Sequence, residues 1–141
     1  MSIYSIDQVA IICKVARNTV CKWFDSGELK GYRDSTFWEV RYVPRDRLIG
    51  FLEKHNIPYI SWDGEIHTDE NFTTGEAAAI SRLNISTIIR LFDSGCLKGF
   101  RIPGSMFRRI PLFFFISFLE KYGLPSDGVY NLMSPRKEPA L

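Results

Sequence analysis

The chain is poor in cysteine. Cys13, Cys21 and Cys96 are all it has, an odd set with no CxxC pair and no neighbouring histidine pair. That spacing argues against a disulfide framework or a zinc site and fits a reducing, cytoplasmic setting. Histidine is scarcer still, with His55 and His67 alone. No glycine-rich phosphate cradle and no nucleophile–base–acid spacing is present, so no catalytic residue, metal or cofactor is expected. Long apolar runs are missing as well. The longest, residues 110–116 around one proline, is far below the ~20 residues of a membrane-spanning helix, so no membrane partner is expected. The first residues, MSIYSIDQVA, lack a basic segment followed by an apolar stretch, and no signal peptide is expected. Charge of one sign is also lacking: the net value over 141 residues is +2.

What the chain does contain is a repeat. FDSGELKGYR at Phe24–Arg33 returns as FDSGCLKGFR at Phe92–Arg101, and FLEKHNIP at 51–58 is answered by FLEKYGLP at 118–125. The offset falls from 68 (92 − 24) to 67 (118 − 51), so one loop within 34–38 is longer by one residue in the first copy. Two copies are too few for a solenoid, and the pattern predicts two small tandem domains. Their expected bounds are 1–58 and 72–125, joined by an acidic linker at 59–71 and followed by a flexible tail at 126–141. Charge sorts accordingly. Residues 4–58 hold nine basic and seven acidic side chains, residues 72–125 hold seven and three, and the linker holds four acids and no Lys or Arg. As an extended tether, that linker is expected to reach roughly 45 Å, at ~3.3–3.6 Å per residue.

Each copy carries the same element signals. Ser5 with Gln8, and Thr73 with Glu76, fit capping boxes and predict helices over 6–13 and 74–81. A second helix follows a short break, started at Asn84 by a good N-cap residue and at Ala16 by a poor one. Val20, Trp23 and Phe24 form its buried stripe, as do Ile88, Leu91 and Phe92. Gly27 and Gly95 sit where a helix ends in a left-handed residue. KGYRDSTFWEVRYVP and KGFRIPGSMFRRIP then read as two-stranded hairpins. Pro44 and Pro111 suit the first turn of closing helices, with Leu48, Phe51 and Leu52, and Phe115, Phe118 and Leu119, facing inward.

The expected fold class is mainly α with small β-hairpins: two tandem winged helix-turn-helix domains. That order suits double-stranded DNA, because a helix end presents short polar and basic groups to base edges while a basic hairpin neutralises phosphates. The outward helix positions are Arg17, Asn18, Thr19 and Lys22 in the first copy, and Ser86, Thr87 and Arg90 in the second. Lys30, Arg33 and Arg41, and Lys98, Arg101, Ser105, Arg108 and Arg109, are the candidates around the hairpins. Phe24, Gly27, Leu29 and Gly31 are expected to be scaffold.

The second copy resembles the excisionase-like, MerR-related (BldC-type) DNA-binding domains. Thr74-Gly75-Glu76-Ala77-Ala78, the Asp93-Ser94-Gly95 helix stop and Arg108-Arg109-Ile110-Pro111 carry the resemblance over 72–125. The first copy departs from it, with SIDQVA for TTGEAA and Val40-Arg41 for the double arginine. The resemblance implies winged-helix DNA binding by bacterial or phage regulators, associated with the nucleoid. A transcription regulator is the expected function. The alternatives are an excisionase-like architectural factor in recombination, or a DNA-binding second domain whose first domain holds a protein partner. Phe113 and Phe114 stand where the first copy has Asp46 and Arg47, and point to an interface within the chain, in a homodimer or with another protein.

Overall fold

Ser5 and Thr73 start the two repeats alike. In each, the side-chain oxygen accepts from the backbone N–H three residues on, and Gln8 or Glu76 reaches back to the cap's own N–H. Both capping boxes are therefore closed, each contributing about 1 kcal/mol. They launch α1 (Ile6–Cys13) and α4 (Thr74–Ser81), at the bounds the sequence predicts. The computed structural model describes residues 3–34 and 40–129. The turn of the first hairpin, including the one-residue register change, and residues 130–141 lie outside the described residues.

The second helices are α2 (Arg17–Ser26) and α5 (Ile85–Ser94). Asn84 occupies the N-cap of α5, yet its side chain makes no capping bond, so in this respect it does no more than Ala16. Both helices stop at a glycine in the left-handed region, Gly27 at φ 84° and Gly95 at φ 88°. No Cβ penalty arises there.

Each hairpin acquires a third strand that the sequence signals did not reveal. In the first unit β1 (Ile3–Ser5), β2 (Tyr32–Asp34) and β3 (Val40–Pro44) pair in the order β1-β3-β2, antiparallel, with Tyr4 opposite Val43. The acidic segment holds β4 (Tyr59–Trp62) and β5 (Glu65–Thr68). In the second unit β6 (Asn71–Phe72), β7 (Phe100–Arg101) and β8 (Arg108–Pro111) repeat the arrangement as β6-β8-β7, with Phe72 opposite Ile110. The closing helices are α3 (Arg45–Lys54) and α6 (Leu112–Lys121). Six helices of eight to ten residues and small antiparallel sheets thus make up the described chain. Among the described residues no helix is long and apolar enough to cross a membrane.

The described residues divide into two compact units, 3–34 and 40–69 with 101–106, and 70–100 with 107–129. Seven core positions correspond between them. Tyr4, Val9, Val20, Leu29, Val43, Leu48 and Leu52 are each at most 1% exposed, and so are Phe72, Ala77, Ile88, Leu97, Ile110, Phe115 and Leu119. The second helices differ in depth. Trp23 and Phe24 are buried in α2, whereas their counterparts Leu91 and Phe92 are only half-buried in α5. Gly31 and Gly99 allow close approach of helix and hairpin. A Cβ at Gly31 would overlap the Tyr42 carbonyl and lie 2.8 Å from the Phe24 ring, and one at Gly99 would overlap the Arg109 carbonyl.

Three expectations need correction. The acidic segment is not an extended tether: it turns back at Asp63 and Gly64, both at positive φ, and pairs Tyr59 with Thr68. Tyr59 and Thr68 are thus one strand spacing apart, about 5 Å, so the segment does not run extended and the 45 Å reach does not apply. Ile66 is buried, Thr68 donates to the Ile12 carbonyl, and Arg45 reaches Ser61 and the Gly64 carbonyl, so this hairpin is part of the first unit. The loop at 101–106 also belongs to the first unit; Ile102 and Pro103 are buried, and the Trp23 indole donates to the Pro103 carbonyl at 2.6 Å. Finally, the expected tail does not begin at 126, since Val129 is 1% exposed within the second core and Gly128 lies against Ile80.

Cysteine chemistry follows from burial. Desolvation pushes the Cys13 thiol up to about 12, while Cys96 is exposed. A thiol reagent at neutral pH is expected to modify Cys96 in the native chain and Cys13 only after unfolding, since the thiolate is the nucleophile. Timed labelling followed by peptide mass spectrometry checks this.

Candidate nucleic-acid interface

The outward face of α2 carries Asn18 and Lys22, one turn apart and exposed, with Thr19 half-buried beside them. On α5 the same positions are Ser86, Arg90 and Thr87, with the same exposures. Arg17 is exposed too, and its Nε donates to Asp7 at 2.7 Å. It ties the start of α2 to α1.

The hairpin arginines are largely held by the protein itself. Arg33 donates to Asp25 at 2.7 Å, Arg41 lies 3.4 Å from the same carboxylate, and both stand over the Phe24 ring. Arg108 grips Asp93 through two bonds, at 2.9 and 2.8 Å, and stands over Phe92. Donating to the Asp93 carboxylate raises the Arg108 pKa above its usual value. Arg109 is half-buried and donates to the Arg108 carbonyl at 3.0 Å. Arg101 ends β7 and Ser105 lies in the loop after it, both within the segment grouped with the first unit, and Arg101 donates to the Met106 carbonyl at 3.3 Å.

Sequence reasoning placed the aspartates of the two DSG phrases at a helix stop without pairing them with arginines. Each sits at the end of a second helix and holds an arginine of the following sheet. The available signal was their recurrence directly after the core aromatics Phe24 and Phe92.

A second pattern emerges when carboxylate partners are sought. Among the described residues, Lys14, Lys22 and Lys30 have none in the first unit, and Arg82, Arg90 and Lys98 have none in the second. All six side chains are exposed. They are the same three positions of the repeat. Lys14 and Arg82, missed in the sequence, occupy the left-handed residue between the paired helices, at φ 60° and 63°. Both units therefore offer a cation at the inter-helix turn, one on the second helix and one just beyond its end. Such uncompensated, surface cations beside short polar groups can neutralise a phosphate backbone at low desolvation cost.

Phe113 is 70% exposed at the start of α6, and Phe114 is half-buried, their rings 5.9 Å apart edge to face. Among the described residues no group of three or more His, Cys, Asp or Glu side chains is placed to hold a metal ion. The chain matches no protein-family model, no curated protein and no solved structure.

Proposed function

We propose that the protein binds double-stranded DNA in a sequence-specific manner and regulates transcription, using two tandem winged helix-turn-helix units. The observation that carries this reading is the recurrence, at equivalent positions in both units, of three exposed cations with no carboxylate partner among the described residues. The resemblance of residues 72–125 to excisionase-like, MerR-related domains supports it. In this reading α2 and α5 enter major grooves. Asn18, Thr19 and Lys22, and Ser86, Thr87 and Arg90, then face base edges, while Lys30 and Lys98 meet phosphates.

The hairpin arginines act differently from simple phosphate contacts. Asp25 and Asp93 orient Arg33, Arg41 and Arg108 and also cancel part of their charge. Replacing Asp93 with Asn is expected to lower stability only slightly, because the pair is partly solvated. It is also expected to raise affinity for any duplex, since it removes a negative charge beside a basic hairpin. Paired melting and duplex titrations check both signs.

The defining experiment is selection of bound sites from a pool of random duplexes at stated salt. Because the two helix faces differ in Asn18 against Ser86 and Lys22 against Arg90, two unlike half-sites are expected to enrich. A pool that stays random overturns sequence-specific recognition.

A further inference from the structure

Beside the closing helix of the second unit lies a cleft of about 240 Å³, walled by Phe113, Phe114, Phe118 and Tyr122. Phe113 is 70% exposed and Tyr122 51% exposed. Lys98 and Lys121 also line the cleft, and no acidic residue does.

The first unit provides the internal comparison, since the same elements there carry different residues. Phe113 and Phe114 replace Asp46 and Arg47, Tyr122 replaces His55, and Cys96 replaces Glu28. In the first unit Glu28 neutralises this place: Lys54 donates to it at 3.4 Å, and His55 Nε2 lies 3.4 Å from it. The counterpart of Lys54 is Lys121. It has no carboxylate partner among the described residues and lies over the Tyr122 ring, 5.4 Å from its centre. Replacing an internal acid by Cys96, and a charged helix surface by two phenylalanines, leaves an apolar hollow flanked by uncompensated positive charge.

We propose that this cleft docks an acidic segment of a partner protein. An aromatic or leucine side chain of that segment sits among Phe113, Phe114 and Tyr122. An adjacent carboxylate reaches Lys121, supplying from outside what Glu28 supplies within the first unit. Charge complementarity selects this occupant over a second copy of the chain. A two-fold contact of the cleft with itself would set Lys98 and Lys121 against their own copies, and a contact with a different face would not close into a dimer. A concave site that takes one side chain also fits an inserted anchor better than a flat bilayer.

The test pans a random-peptide phage library on the full chain, with the chain carrying Cys96→Glu used for counter-selection. Enriched peptides are expected to place Asp or Glu beside a leucine or aromatic residue. Measured by fluorescence polarisation, Cys96→Glu is expected to weaken them about tenfold or more, because the restored acid pairs with Lys121 internally. Lys121→Glu is expected to weaken them similarly and to recover binding when the peptide carboxylate becomes lysine. Phe113→Asp, which installs the first unit's residue, is expected to abolish binding while the thermal melt stays unchanged. The proposal is overturned if nothing enriches, if the peptides lack carboxylates, or if Cys96→Glu binds them as well as the unchanged chain. It is equally overturned if the chain alone sediments as a dimer that Phe113→Asp separates, or if the cleft binds phosphatidylserine vesicles and no peptide.

Discussion

Changing Lys22, Lys30, Arg90 and Lys98 together to glutamine is expected to weaken duplex binding on the order of 10³–10⁴-fold, with the fold intact. The size follows from four lost charge-assisted contacts at roughly tenfold each. The sharper readout is salt dependence. Each phosphate neutralised by a lysine or arginine releases condensed counterions, so log affinity falls against log salt with a slope of about −0.9 per contact. Lys30 and Lys98 are the phosphate contacts among the four, so the slope is expected to flatten by about 2. Fluorescence anisotropy of a labelled duplex over a sodium chloride series measures both quantities. All four side chains are exposed and have no carboxylate partner among the described residues, so circular dichroism is expected to stay unchanged. A slope that does not move would remove these cations from the interface and with them the DNA-binding proposal.

Phe115→Ala is expected to unfold the second unit or bring it to the edge of unfolding, while Phe113→Ala, two residues away, leaves stability within about 0.5 kcal/mol. Phe115 is fully buried, and its ring packs 5.3 Å from that of Phe72, joining α6 to the first strand of the sheet. Truncating such a ring costs about 3–5 kcal/mol through lost burial and the cavity left behind. A unit of this size has little more than that to lose, because small domains bury a smaller fraction of their surface. Urea denaturation followed by tryptophan fluorescence would report the wrong unit, since Trp23, Trp38 and Trp62 all lie in the first sequence copy or the acidic segment. Amide hydrogen exchange resolved by peptide is therefore the measurement. Protection is expected to be lost across 72–100 and 107–125 with Phe115→Ala and retained with Phe113→Ala.

Much of this was legible in the chain because it is written twice. The offsets of 68 and 67 residues aligned Leu48 with Phe115 and Leu52 with Leu119, and separated the buried member of Phe113-Phe114-Phe115 from its exposed neighbour. Capping boxes showed the starts of α1 and α4, since a hydroxyl and a residue three positions on act locally. Glycine stops showed the ends of α2 and α5 for the same reason. Signals that need a distant partner did not show. Ile3–Ser5 and Asn71–Phe72 are too short to read as strands by alternation and become strands only by pairing with β3 and β8. Asp63-Gly64 is a strong turn signal, yet the acidity of its surroundings suggested a tether.

The sequence by itself determined the two-fold repetition of the chain, the bounds of α1 and α4, many of its core positions and the places where its two copies differ. Those properties depend on spacing, caps and side-chain type, which act within a few residues. Only the tertiary structure decided which charges are available. Arg33, Arg41 and Arg108 look as free in the sequence as Lys22 and Arg90 do. Folding brings Asp25 and Asp93 within 2.7 to 3.4 Å of the three arginines and leaves the other two cations without a carboxylate partner among the described residues. Coulomb attraction at such distances depends on through-space separation, which residue order does not specify.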